Sequence, residues 1–150
     1  MVIKEIEYDR YKEKINIKYL EGTASKQVKD TEPPKDDLSE VLTKLQEVGY
    51  RILRYPFSMK GRIIITGAKF WYDEFGGRSH IKLLAQYQLD KNERIALIMP
   101  QRAYKFYNKD ELDLIDKLIA EAIDYVNGKR AQIPLIQENK PAADELPAAN

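Results

Sequence analysis

A chain of 150 residues with 43% apolar and 33% charged positions can fill one hydrophobic core but not two. It has no cysteine, which excludes disulfides, thiolate nucleophiles and Cys-held zinc and fits a cytoplasmic location. No apolar run is long enough to span a membrane, and Lys4, Glu5, Glu7 and Asp9 interrupt the first apolar stretch, so neither a membrane segment nor a secretory leader is expected.

In chain order, "IKEIEY" and "KINIKYL" alternate around the polar "DRYKE" and predict an opening hairpin, with Ile15, Ile17 and Tyr19 on one face. "EGTASKQVKDTEPPK" has two prolines and no apolar periodicity and reads as a loop. A helix is expected next. Asp37 and Glu40 stand at capping-box spacing, Leu38, Val41, Leu42, Leu45 and Val48 recur at helical intervals, and Gly49 marks the end.

Three strands should follow, "GRIIITGAKFWY", "HIKLLAQYQL" and "RIALIM", joined by the turn-rich "DEFGGRS" and "DKNE". In the first of them Ile63 and Ile65 are out of phase with Ala68, Phe70 and Tyr72. A bulge at Gly67 restores the phase and turns Lys69 and Trp71 outward. In the second, Ile81, Leu83, Ala85, Tyr87 and Leu89 alternate with His80, Lys82, Gln86 and Gln88, leaving one face wet. The last helix has Asn108 and Glu111 as reciprocal caps and a stripe of Leu112, Ile115, Ile119, Ala122, Ile123 and Val126 ending at Asn127 and Gly128. The sum is an α+β chain, β-β-α-β-β-β-α, with about five antiparallel strands and two helices on one face. Residues 1–130 should form a single domain, and residues 131–150 a flexible tail.

Net charge is +1, but its distribution is uneven: residues 51–107 carry 11 Lys/Arg against 4 Asp/Glu, and residues 108–128 carry 2 against 6. The basic segment also holds Tyr55, Phe57, Phe70, Trp71, Tyr72, Phe75, Tyr87, Tyr104, Phe106 and Tyr107, so cationic and aromatic character coincide.

No set of residues specifies a reaction, and no enzyme is expected. The one histidine, His80, has no serine in a nucleophile turn to serve. Asp73, Glu74 and His80 flank one turn, but acidic residues are ordinary there, and no metal or other cofactor is expected. The pairs Glu5/Glu7 and Asp36/Asp37 lack the third carboxylate or lysine of a two-metal nuclease. Gly76-Gly77 lies between strands, where it cannot present a helix N-terminus to a phosphate.

Binding is the better-supported expectation. If Arg62, Lys69, Trp71, Arg78, His80, Lys82 and Arg94 share the uncovered sheet face or its rim, they combine phosphate-tracking charge with a ring for base stacking, as single-strand binders do. Against this, most of the aromatics fit a core, and lysines on a wet face also serve as edge protection.

"AQIPLIQ" continues apolar character past the last helix. Gln132, Ile133, Leu135 and Ile136 resemble the bacterial sliding-clamp-binding peptide, with Ile in place of the usual Leu and Phe, which implies recruitment to a clamp by the tail. The alternative is that Ile133, Leu135 and Ile136 fold back onto the sheet or its edge, with Pro134 confining them to an edge position.

The order of "INIKYL", a proline-containing linker, a helix, "IIITGAKFWYDEFGGRSHIKLLAQYQL" and a helix running into "YVNGKRAQ" resembles a family of small proteins of unassigned activity encoded in tailed phages and prophages. The resemblance covers roughly residues 2–136 and brings no catalytic residues. It implies a phage setting, in which small accessory proteins of DNA replication and recombination are common. The competing expectation is a protein-interaction module, acting on a host factor or a defence system, that uses Trp71 and Phe75 as anchors and binds no nucleic acid. An exposed sheet edge also leaves a homodimer open.

Overall fold

The computed structural model describes residues 1–54 and 61–128; the tail from 131 to 150, with its peptide at 132–136, lies outside the described residues. The alternating N-terminal segments form β1 (Val2–Asp9) and β2 (Lys14–Glu21), antiparallel, with the Asp9 carboxylate accepting the N–H groups of Tyr11 and Lys12 in the turn. The expected loop after β2 is corrected by the structure. Its first half is a third strand, β3 (Ala24–Asp30), paired with β2 along its whole length, with only Val28 directed to the core. An edge strand that satisfies its backbone on one neighbour needs no apolar alternation of its own.

The first helix also differs from expectation. Lys35 is its N-cap without a side-chain bond, so Asp37 and Glu40 form no capping box, and α1 (Asp36–Lys44) is interrupted at Leu45, which is at once its C-cap and the N-cap of α2 (Gln46–Leu53). Gly49 does not end it. An added Cβ there would lie 3.1 Å from Ile65 Cδ1, so this glycine lets the helix press on the sheet. The chain leaves α2 through Arg54 in the left-handed conformation, φ 55°.

β4 (Ile63–Tyr72), β5 (Arg78–Gln88) and β6 (Arg94–Leu97) form the expected meander, and a two-residue strand β7 (Arg102–Ala103) adds to β5 beyond β6. The sheet order is β3-β2-β1-β4-β5-β6, with β7 also on β5, all antiparallel: seven strands among the described residues, where about five were expected. A single turn of 3₁₀ helix (Tyr104–Phe106) leads into α3 (Lys109–Val126). Here the expected reciprocal cap is present, Asn108 Oδ1 accepting from Glu111 N–H and Glu111 Oε1 from Asn108 N–H, each at 2.9 Å.

The helices lie on one face of the sheet. The core between the layers gathers Ile3, Ile6, Ile15 and Ile17 from β1 and β2 and Ile63, Ile65, Ala68, Phe70, Ile81 and Leu83 from β4 and β5, against Leu38, Leu42, Leu45, Ile115, Leu118 and Tyr125. Buried tyrosines keep hydrogen bonds within it. Tyr107 donates to Ile81 O at 3.0 Å and Tyr125 to Glu32 O at 2.6 Å. Burial, reinforced by the negative charge of Glu111, raises the Tyr107 hydroxyl to about 12.

β1 and β4 meet through Glu5↔Lys69, Ile6↔Ala68 and Glu7↔Gly67. The register of β4 against β5 shifts between Ile65 and Gly67, which is the expected bulge, with Thr66 as the inserted residue. Gly67 has a second reason to lack a side chain: a Cβ would stand 1.8 Å from the Ile6 carbonyl oxygen. The two strands approach too closely there for any other residue.

Candidate nucleic-acid interface on the uncovered sheet face

With Ile63, Ile65, Ala68 and Phe70 pointing to the helices, the bulge sends Lys69 and Trp71 the other way, onto the face that no helix among the described residues covers. Lys69 pairs across the ladder with Lys82, and Trp71 with His80. These four form a contiguous block. Trp71, His80 and Lys82 are half-buried, and the Lys69 side chain is 42% exposed.

The other three expected residues are placed differently. Arg94 shares the open face but is engaged: its Nη1 lies 3.3 Å from Asp9 Oδ1 and 3.1 Å from Gln86 Oε1, and its guanidinium stacks 3.9 Å from the Tyr11 ring centroid. Arg62 sits at the end of β4, and its Nη1 donates to the carbonyls of Gln88 and Leu89 at 3.1 and 2.9 Å. Arg78 is a correction. A second register shift between Trp71 and Tyr72 pairs Tyr72 with Arg78, leaves Ser79 as the extra residue, and turns Arg78 to the helix side, where it meets Asp116 of α3 at 2.5 Å.

Carboxylates from outside the basic segment answer many of its cations. Lys69 lies 3.8 Å from Glu5, Arg94 pairs with Asp9, Arg78 with Asp116, and Arg51 grips Glu111 through Nε at 2.6 Å and Nη2 at 2.5 Å. Segmental charge is therefore not surface charge. On the open face Lys14, Lys18 and Lys29 lie to one side of β1 and Lys69, Lys82 and Arg94 to the other, while β1 itself contributes Glu5, Glu7 and Asp9. Glu5, with only 14% of its side chain exposed, bridges both sides, 3.7 Å from Lys18 and 3.8 Å from Lys69.

Burial opposes ionisation of Asp9, but the N–H of Lys12, the Gln86 amide, the N–H of Tyr11 and Arg94 outweigh it and hold this carboxyl below its ordinary value. Asp9 also edges a hollow of about 490 Å³ at the far end of the face from Trp71, lined with Glu7, Lys12, Lys14, Asn16 and Lys29 among others. The lysines to the β2 side of β1 and the carboxylates of β1 are what sequence reading of the site missed. The alternation of Glu5, Glu7 and Asp9 was legible, but the neighbours of β1 were not.

Of the side chains first weighed for metal, Asp73 is folded into its turn, accepting from Phe75 N–H and Gly77 N–H, and His80 Nδ1 lies 3.1 Å from Ser79 Oγ. Among the described residues no three His, Asp or Glu side chains come together as a metal site, and no helix is long and apolar enough to cross a membrane. Compared with protein-family models, curated proteins and solved structures, the chain matches none.

Proposed function

We propose that the protein is a non-enzymatic accessory of phage-type DNA metabolism that holds single-stranded nucleic acid against the β4–β5 quarter of its uncovered sheet face. One observation carries this reading: Trp71 and His80 pair across the β4–β5 ladder two positions from the pair Lys69 and Lys82, on the same face and between the two register shifts. A base stacks on the indole while the lysines follow the backbone, and the sheet supplies the rigidity that makes such contacts additive. The carboxylates of β1 confine the track to the β4–β5 side and keep affinity moderate. Recruitment to a sliding clamp falls to Gln132, Ile133, Leu135 and Ile136.

Polarisation titrations with labelled single-stranded oligonucleotides at rising salt test the proposal. Trp71→Ala should weaken binding by about 1–3 kcal/mol. Lys82→Gln should flatten the logarithmic salt slope by about 0.7. Absence of any affinity at low salt rejects the reading.

Phe75, 89% exposed, is the observation behind the second reading, a protein-interaction module docking on a host factor through Phe75 and Trp71. That reading predicts capture of a partner without a salt slope, and pull-downs with and without residues 131–150 separate the domain from the tail as the contact.

A further inference from the structure

The β4–β5 hairpin ends in a turn that is tied at four points. The Asp73 carboxylate accepts from Phe75 N–H and Gly77 N–H at 2.9 Å each, Asp73 N–H donates to Gly77 O at 2.8 Å, and Gly76 N–H donates to Asp73 O at 3.1 Å. Gly76 has φ +86°, which suits glycine and gives the turn its reversal. On this fixed support Phe75 is the most exposed large apolar side chain among the described residues. The backbone that carries this ring gives up little conformational freedom when it meets a partner.

We propose that Phe75 is a wedge that stacks on the last base pair of a duplex where it opens into single strand, so that the preferred ligand is a duplex–single-strand junction. The inference rests on the single-strand reading of Trp71, Lys69 and Lys82. Apolar side chains that enter a base stack must ordinarily unstack a step, at a cost. At a junction one face of the terminal pair is already bare, so the phenyl ring gains stacking without that cost. The adjacent Glu74 repels phosphate, which favours contact with the flat base pair over contact with the backbone.

Geometry sets the length of single strand required. Phe75 follows Trp71 by four positions, which at a strand rise of about 3.3 Å per residue is at most about 13 Å between their Cα atoms. That ceiling corresponds to at most about four stacked nucleotides at roughly 3.4 Å each. Trp71 therefore engages a base no more than about four nucleotides past the fork.

The test compares single-stranded DNA, blunt duplex, and duplexes with overhangs of increasing length, using the full chain and Phe75→Ala and Phe75→Trp. The wild-type protein should bind an overhang of more than about four nucleotides roughly 10-fold tighter than single strand alone, within the range of one stacking contact. Phe75→Ala should lose that preference while binding single strand as before, and Phe75→Trp should retain it. A 2-aminopurine placed at the terminal pair should be quenched by the wild-type protein and not by Phe75→Ala. Equal affinity for junction and single strand overturns the wedge and leaves the binding face standing. Failure to bind single strand overturns both. Loss of a captured host protein in Phe75→Ala, with DNA binding unchanged, makes Phe75 a protein anchor and also overturns the wedge.

Discussion

Replacing Gly67 by alanine should be the most damaging small substitution in the sheet. The added Cβ would fall 1.8 Å from Ile6 O, 2.7 Å from Ile6 C and 2.9 Å from Glu7 Cα, all of them backbone atoms that cannot rotate away. A carbon needs about 3.3–3.6 Å from a carbonyl oxygen even in a favourable C–H contact, so the strands must part by well over an ångström. They do so where β1 and β4 share only three residue pairs. Overpacking costs about 1–3 kcal/mol where side chains can yield, and here ladder hydrogen bonds worth roughly 1 kcal/mol each are lost as well. The expected destabilisation is about 3–5 kcal/mol. Urea unfolding should show the midpoint falling by about 1.5 M or more for a slope near 2 kcal/mol per molar. Gly49→Ala is the matched control: its Cβ would meet side-chain atoms rather than backbone, Ile65 Cδ1 at 3.1 Å and Ile63 Cγ2 at 3.6 Å, which need give by only a few tenths of an ångström, and alanine favours the helix by up to about 1 kcal/mol, so its stability should change by less than that. A Gly67→Ala protein as stable as Gly49→Ala would refute the close-approach argument.

Two further outcomes are expected. Glu5→Gln frees Lys18 and Lys69; both pairs are long, 3.7 and 3.8 Å, and their lysines are about half exposed, so at about 0–1 kcal/mol per solvent-screened pair stability should fall by no more than about 2 kcal/mol. Single-strand affinity should meanwhile rise, with the salt slope steepening by up to about 1.4, and a weaker or unchanged salt response in polarisation titrations would show that Glu5 masks nothing. Because the folded state holds the Asp9 carboxyl below its ordinary value of about 3.9, its contribution is fully present above that pH and is lost as pH falls through the lower folded value. The stability gap between wild type and Asp9→Asn should therefore close on acidification below about pH 4; a gap independent of pH contradicts the assignment.

What could be read from the sequence was what local chemistry determines. The last helix carries its own cap at Asn108 and Glu111 and its own stripe, so its start was legible to the residue. The bulge beside Gly67 showed itself as a phase error between Ile65 and Ala68. β3 left no such trace, because Ser25, Lys26, Gln27 and Lys29 are polar residues at an edge, held by the ladder and by polar contacts such as Gln27 with Asn16 and Lys26 with Glu21 rather than by an apolar alternation. The break at Leu45 was also silent, for the apolar stripe runs through it without proline or glycine. At the candidate site, the outward turn of Lys69 and Trp71 followed from the alternation, whereas Arg78 was misplaced by one unsignalled bulge at Ser79. The neutralising carboxylates were hidden for a different reason: Glu5 and Asp9 reach Lys69 and Arg94 only once β1 lies beside β4, a pairing that no local pattern encodes.

That pairing also orders the assembly of the molecule. The β1–β2–β3 and β4–β5–β6 hairpins join sequence neighbours and can zip within microseconds, but residues 5–7 reach residues 67–69 only by closing a loop of about sixty residues. The closure costs about 3–4 kcal/mol in chain entropy, and three ladder pairs alone do not recover it. The α1–α2 pair lies inside that loop and packs on β4, while α3 packs on β1, so the helices must dock before the two meanders hold together. Refolding should then be limited by this clasp, with substitutions along it slowing folding more than substitutions within either hairpin.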